Sequence, residues 1–221
     1  MKLIKPKISK YDISDFNNHS FSNVLIDKTP SEKTIINDIT FDSCIFKGID
    51  FSNIELNNID LIDVTFDSCD LSNKEFNERL ISRVEFINCK LVGTTFMDSS
   101  IKDVLLDKCQ AKYINFSGSN INKISIENTD LTEASFNEVK IKDINFYKDI
   151  FYGCEFFKTK LNNVDFSNSL SASFIHPLYL GTFPPKYLFT IPIVLFNKFP
   201  KSLHKSKLNL SIKSSGVNTA S

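Results

Sequence analysis

Large apolar residues recur at every fifth position from Ile36 to Phe166 without interruption. These 27 positions hold 13 Phe, 7 Leu, 6 Ile and a single Ala. A period of five fits neither the 3.6-residue repeat of an amphipathic helix nor the two-residue alternation of an ordinary strand. It indicates a tandem-repeat architecture, in which each short unit packs against its neighbours along one axis.

A second position in each five-residue unit is also restricted. If the large apolar residue is called i, the residue at i−2 is small or β-branched in most units, as in Val64 and Cys69. Of the 36 charged residues in 36–170, only Lys74, Arg79 and Asp149 fall at i or i−2. Because burying an unpaired charge is costly, we expect i and i−2 to point inward and i−1, i+1 and i+2 to point outward.

Tandem units of the form small-x-(Leu or Phe)-x-x resemble the pentapeptide repeat family. Residues 69–73 (Cys-Asp-Leu-Ser-Asn) and 129–133 (Thr-Asp-Leu-Thr-Glu) match that pattern well. The resemblance implies an all-β fold, a right-handed quadrilateral parallel β-helix with four units per coil and about seven coils. Residues 20 apart then stack, on neighbouring coils that lie about 4.8 Å apart.

This pattern divides the chain into three parts. Residues 1–35 are predicted to be an N-terminal lead-in or a frayed first coil, and residues 36–170 the β-helix. Residues 171–221 hold five of the seven prolines and six Lys without any acidic residue. They are predicted to form a cap over the last coil, a disordered tail, or a segment that binds an interface or a partner. Their apolar stretch, residues 187–199, is too short to span a bilayer.

The sequence shows no catalytic constellation. No phosphate-binding loop or nucleophile motif occurs, and the histidines lie outside the repeats, at His19, His176 and His204. We therefore expect a non-enzymatic protein without a cofactor. No secretory signal opens the chain, so a cytoplasmic location is expected.

All five cysteines lie at i−2, and those at positions 69, 89 and 109 are 20 residues apart. Such a column is either a metal or disulfide site or a set of small buried side chains. The second interpretation is favoured, because no histidine joins the cysteines at ligand spacing and a reducing compartment disfavours the bond. No metal site is expected.

One stretch departs from the inward pattern, because two consecutive i−2 positions are cationic. Either the long side chains leave a coil corner toward solvent, or the stretch projects from the tube as a recognition loop. Loops interrupt the coils in the quinolone-resistance branch of the family, although here no residue is inserted and the period is kept. The candidate loop comprises Asn73, Lys74, Glu75, Phe76, Asn77, Glu78 and Arg79. Asp149 is a second, smaller departure.

The acidic residues concentrate on one side of the predicted rod. Residues 36–170 hold 22 Asp and Glu against 14 Lys and Arg, whereas the two ends are basic. We call face one the outward residues of the units centred on 36, 56, 76, 96, 116, 136 and 156, and face two those of the units centred on 41, 61 and so on. Face one has Lys158 as its only outward base, and its acids are Asp38, Glu55, Glu75, Glu78, Asp98, Glu138 and Glu155.

An acidic rod can occupy a site built to neutralise phosphates. The chain resembles the Qnr-like branch, whose members are regarded as DNA mimics that bind DNA gyrase or topoisomerase IV. The resemblance implies a protein partner of this kind and protection from quinolones. The alternative is a structural scaffold with an unrelated partner, since an acidic stripe also keeps a repeat protein soluble. Direct nucleic-acid binding by the acidic body is disfavoured, and the helix with which family members dimerise is not recognisable.

Overall fold

A computed structural model describes residues 9–10, 20–159, 161, 164 and 169 of the chain. These residues form short strands joined by turns, and no helix occurs among them. The residues of the tail and the three histidines lie outside the described part. The strands are β1 Ser9–Lys10, β2 Ser20–Ser22, β3 Val24–Ile26, β4 Thr34–Asn37, β5 Thr40–Asp42, β6 Ile45–Lys47, β7 Ile54–Asn57, β8 Asp60–Ile62, β9 Thr65–Asp67, β10 Leu80–Ser82, β11 Glu85–Ile87, β12 Ser100–Lys102, β13 Val104–Asp107, β14 Asn120–Ile121, β15 Ile124–Glu127, β16 Lys140–Ile141 and β17 Ile144–Tyr147.

Every strand pair is parallel, and from β2 onward the register is 20 residues, as in Phe46↔Phe66 and Phe66↔Phe86. Face two is a seven-stranded sheet from β2 to β16, and the neighbouring face is an eight-stranded sheet from β1 to β17. Six 20-residue steps separate Leu25 from Asn145, so the described chain makes six turns of a four-sided parallel β-helix. The predicted fold class, an all-β parallel β-helix, is confirmed. The division of the chain into residues 1–35, 36–170 and 171–221 stays a prediction.

The other two faces are built from turns and single-residue bridges. On face one, β4 pairs with β7, and higher up the bridges Glu75↔Thr95 and Thr95↔Asn115 continue the ladder. Nearly every i+2 residue turns the corner with a positive φ, which for a residue other than Gly is unfavourable. Asn, Asp and Gly tolerate it best, and Gly48, Gly93, Gly118 and Gly153 all lie at i+2.

The core is filled by the residues predicted to point inward. The i position of face one is a column of five stacked Phe rings from Phe76 to Phe156, with centroids 4.9–5.3 Å apart. All of these rings are buried. Stacked, offset aromatic rings add to the free energy gained from burying their area, so this column is a principal source of stability along the rod.

Small polar residues at i−2 hydrogen-bond to the backbone of the coil below. Ser99, like Ser119 and Thr159, makes two such contacts: its Oγ donates to the carbonyl of Phe76 at 2.6 Å and accepts from the amide of Arg79 at 3.1 Å. The position therefore offers a side chain one backbone acceptor and one backbone donor, and a hydroxyl can use both.

The five cysteines are all buried, and none forms a disulfide. Each Sγ lies against a backbone carbonyl, as Cys109 does against Phe86 at 3.3 Å. Burial raises the pKa of Cys109 and of Cys154 to about 12, so these thiols are protonated at neutral pH. In the described residues no three His, Cys, Asp or Glu side chains come together as a metal site would require.

Candidate partner-binding surface on face one

The seven acids of face one are all exposed and lie in two parallel columns. Asp38, Glu78, Asp98 and Glu138 occupy the i+2 corner position and have positive φ values between 55° and 60°. The other column is at i−1, where bridges between successive coils connect Glu75 to Glu155 and Glu55 pairs with Ile35 of the coil below. The 20-residue register thus places the predicted acidic residues on one side of the rod.

The two ends of this acidic stripe are partly neutralised. Glu55 Oε2 lies 3.3 Å from Lys33 Nζ, and Glu138 Oε1 lies 3.2 Å from Lys158 Nζ. Hydrogen bonds from Asn57 and then from Lys33 hold the pKa of Glu55 below its usual value. Glu155 Oε2 accepts a hydrogen bond from the side-chain Nδ2 of Asn137 at 2.7 Å.

The middle of the stripe is not neutralised. Within residues 20–159, Glu75, Glu78 and Asp98 have no ion pair. On face two, by contrast, Asp63 binds Arg83 through both carboxylate oxygens at 2.6 Å. The three central carboxylates of face one are therefore available to an external cation, whereas Asp63 is already satisfied.

Residues 73–79 stay in the coil, so the projecting loop proposed as one alternative is wrong. The amide of Asn73 bonds to the carbonyl of Val92 at 2.9 Å, Phe76 is fully buried, and Glu75 bridges to Thr95. Because no residue is inserted, the chain keeps its register with the coil above. The other alternative holds, and the half-buried side chains of Lys74 and Arg79 leave the core at two corners.

These two side chains coincide with a break in the backbone ladder, which we call the open junction: residues 54–60 facing residues 74–80. In the equivalent junction one coil higher, four backbone amides donate to carbonyls across the coils at 2.8–3.0 Å: Thr95 to Lys74, Phe76 to Thr95, Glu78 to Met97 and Ser100 to Arg79. In the open junction, all of whose residues are described, the four matching bonds are absent, and no bridge joins Glu55 to Glu75.

Charged side chains take over part of the lost bonding. Lys74 Nζ donates to the carbonyl of Ile54 at 2.7 Å, which is the acceptor that the amide of Glu75 would use. The amide of Leu80 donates to Asp60 Oδ1 at 2.8 Å instead of to the carbonyl of Ile59. Arg79 Nε donates to the carbonyl of Asn77 at 3.1 Å.

Two shallow clefts flank face one at this level. A cleft of about 340 Å³ is lined by residues that include Asp38, Asn58, Asp60 and Arg79. A cleft of about 220 Å³ on the opposite corner is lined by residues that include Lys33, Glu55 and Lys74. Both clefts are open and lack the enclosure of a typical small-molecule site.

Asp149, the third inward charge, is handled differently. It is fully buried, and its two carboxylate oxygens accept hydrogen bonds from the amides of Thr129 at 2.9 Å and Tyr147 at 2.8 Å. Burial raises its pKa to about 7, and the nearby charges of Glu127 and Asp107 add to the rise. The ladder beside it is intact, with Ile150 donating to the carbonyl of Thr129 at 3.0 Å.

Sequence reasoning located the acidic residues and the inward charges but not the open junction itself. The only signal for it was the pair of cations at consecutive i−2 positions.

In the part of the chain that the structure describes, no helix is long and apolar enough to cross a membrane.

Comparisons with known proteins agree with this architecture. A family described as pentapeptide repeat region matches residues 59–136, and one described as pentapeptide repeats in eight copies matches residues 41–76. No curated protein sequence matches the chain.

Several solved structures are similar. One trypsin-treated form of QnrB1, a plasmid-mediated fluoroquinolone resistance protein, is 18% identical, with 68% of this chain and 78% of that chain covered and a TM-score of 0.36. A second trypsin-treated form is 19% identical, with 68% and 76% covered and a TM-score of 0.35. HetL from the cyanobacterium Nostoc, a pentapeptide repeat protein involved in heterocyst differentiation regulation, is 13% identical, with 66% and 81% covered and a TM-score of 0.24. With its repeats matched over residues 41–136 and its coils built from five-residue units, this chain is a pentapeptide repeat protein.

Proposed function

We propose that this protein is a non-enzymatic binding protein whose face one docks on the DNA-binding surface of DNA gyrase or topoisomerase IV in place of DNA. The observation that supports the proposal is the group of central acids, Glu75, Glu78 and Asp98, which are exposed and have no ion pair within residues 20–159. The cationic side chains with which a topoisomerase binds DNA phosphates would pair with these carboxylates instead.

The charge density of face one limits how strong this mimicry can be. Seven acids over roughly seven coils amount to about one charge per 4.8 Å coil spacing, whereas duplex DNA carries one per ~1.7 Å of axis. Face one therefore has about a third of the linear charge density of DNA. We expect binding that weakens with salt less steeply than DNA binding does, and electrostatic steering that mainly raises the association rate.

Occupation of the DNA-binding surface would also act on quinolones. A topoisomerase that holds the protein in place of DNA cannot hold the DNA on which the drug-stabilised complex depends. At concentrations that leave some enzyme free, gyrase supercoiling is expected to persist at higher ciprofloxacin concentrations when the protein is present.

The test is binding to gyrase at low salt by wild type and by the triple variant Glu75→Gln, Glu78→Gln, Asp98→Asn. The triple variant is expected to bind at least tenfold more weakly, because it removes the three carboxylates without an intramolecular partner. The charge-matched control is Glu127→Gln, Glu133→Gln, Asp143→Asn, which neutralises three acids on the other faces. Equal loss in the two triples, or no gyrase binding at low salt, would overturn the proposal.

A second function is a scaffold for an unrelated protein partner, and the low charge density of face one favours it. Such a partner would be retained at high salt and would not discriminate between the two triple variants. A pull-down at low and high salt, with gyrase subunits assayed in both eluates, separates the two functions.

A further inference from the structure

We infer that the open junction is a two-state hinge, at which the ladder between residues 54–60 and 74–80 alternates between the open form seen here and a closed form. In the closed form Lys74 and Arg79 extend into solvent, and the amides of Glu75 and Leu80 bond to the carbonyls of Ile54 and Ile59. This inference concerns the rod alone and does not depend on the identity of the partner.

The open and closed forms satisfy comparable numbers of hydrogen-bonding groups. The open form holds three hydrogen bonds that involve a charged side chain, made by Lys74, Arg79 and Asp60. The closed form would hold four neutral backbone bonds, as the junction above does. Bonds with an ionised partner are roughly twice as strong as neutral ones, and the solvent exposure of these groups reduces that advantage. The two sets therefore nearly balance.

The break is limited to face one and the two corners that adjoin it. Across the same two coils, the amide of Phe51 still bonds to the carbonyl of Asp70 at 2.9 Å, and Glu85 still bonds to Val64. Phe66 remains stacked between Phe46 and Phe86, with centroids 4.9 and 5.1 Å apart. The face opposite face one keeps its full strand pairing and its stacked rings while face one opens, which is the geometry of a hinge whose axis lies opposite face one.

The core behind the break is more exposed than the core above it. Leu56 is 8% exposed, the highest value among the buried core residues, whereas Phe76 directly above it is 0% exposed. The opening thus gives solvent access to the edge of the core at this level. Motion there changes the spacing between Glu55 and Glu75, and so the curvature of the acidic stripe.

The test is residue-resolved amide hydrogen exchange and relaxation dispersion on the wild-type protein. The amides of Leu56, Asn58 and Glu75 are expected to exchange roughly 100-fold faster than their counterparts Phe76, Glu78 and Thr95, because the latter open only with larger units of the fold. Microsecond-to-millisecond exchange contributions are expected in residues 54–60 and 74–80 and not in 94–100. Equal protection at the two junctions, or no dispersion at the open one, would overturn the inference.

A variant that copies the column residues of the coil above sharpens the test. Lys74→Thr with Arg79→Ser reproduces Thr94 and Ser99 and should close the junction. The amides of Leu56 and Glu75 should then gain at least tenfold in protection, and the dispersion should vanish. Thr94→Ser is the matched control, which should leave both junctions unchanged. Unaltered exchange at Glu75 in a folded double variant would contradict the role assigned to the two cations.

Discussion

Two regions of the rod place a charge at an inward i−2 position, with opposite results. At the open junction, Lys74 and Arg79 leave the core and the ladder beside them is broken. Near the other end of the described coils, Asp149 stays fully buried and the ladder beside it is intact. Whether an ionisable side chain at i−2 stays buried therefore depends on more than the fact that it can carry a charge.

The difference follows from what the inward position offers. A side chain there meets a backbone amide from the coil below, and a carboxylate can accept from it, as Asp149 does from Thr129. A cation has only donors and cannot accept from that amide. Because its side chain is long, Lys74 bonds through Nζ to the carbonyl of Ile54, the acceptor that the amide of Glu75 would otherwise use in the ladder. A short acid fits the existing hydrogen-bond pattern, whereas a long cation competes with it.

The strongest way to break this comparison is to put a cation into a closed junction. Thr94 lies one coil above Lys74 in the same column, is buried and donates to the carbonyl of Leu71 at 2.9 Å. Thr94→Lys should open a second junction and lower the free energy of unfolding by about 4 kcal/mol, since four backbone bonds of about 1 kcal/mol each are lost. Urea unfolding measures the loss. The control Thr94→Ile should lose much less unfolding free energy than Thr94→Lys. Equal losses in the two variants would contradict the proposed competition between the cation and the ladder.

The acidic side of the comparison is tested by pH. The pKa of Asp149 is raised by burial to about 7 in the folded protein, and the unfolded value is near 3.9. The folded state then binds the proton more tightly, so the stability that this group contributes is full below pH ~4, falls as pH rises, and is level above pH ~7. We expect a fall of roughly 2–4 kcal/mol across this window.

Asp149→Thr isolates that contribution, because Thr129 occupies the preceding position in the same column. The difference in urea midpoint between wild type and variant should grow in favour of the variant from pH 5 to pH 8. Parallel pH profiles would show that Asp149 is ionised in both states over this range.

The sequence was sufficient to predict the fold because the repeat leaves few choices. The five-residue period specifies which side chains are buried, and 20-residue stacking specifies which acids share a face. Phe76 and Phe96 stack at 5.3 Å as the period requires. These predictions need only the position of a residue in the sequence, because in a repeat protein a fixed sequence separation, here 20 residues, corresponds to a fixed separation in space.

The candidate site was less predictable, because its details depend on competition between neighbouring groups. The cationic pair at Lys74 and Arg79 was visible in the sequence. Its two interpretations differ only in whether the backbone projects from the coil as a loop or the side chains alone point to solvent. Which acids form ion pairs was only partly predictable: Asp63 is half-buried and Glu78 exposed, both at i+2, and only Asp63 has an arginine one coil above it in its column. The period reports which charges share a column, whereas rotamers and hydrogen bonds decide which of them bond.

Repairing the open junction is expected to have a smaller, stabilising effect. Lys74→Thr with Arg79→Ser would regain up to four backbone bonds and lose three bonds to charged groups; because these two sets nearly balance, we expect a gain of at most about 1 kcal/mol. Thermal unfolding of wild type, both single variants and the double variant measures it. A gain carried wholly by one single variant would mean that the two cations do not act on the ladder together, whereas a loss would contradict the competition argument.

The smallest effect is expected from a cation that lies at an outward position. Arg83 is bound to both carboxylate oxygens of Asp63 at 2.6 Å, and the amide of Asp63 still bonds to the carbonyl of Ser82 at 3.0 Å. Both side chains are partly exposed, so Arg83→Met should lower the free energy of unfolding by at most about 1 kcal/mol and leave amide protection in the ladder unchanged. A double-mutant cycle with Asp63→Asn measures the coupling energy between Arg83 and Asp63, which should shrink at roughly 0.5 M salt. A loss as large as that of Thr94→Lys would mean that the charge of a cation, and not its inward position, disturbs the coil.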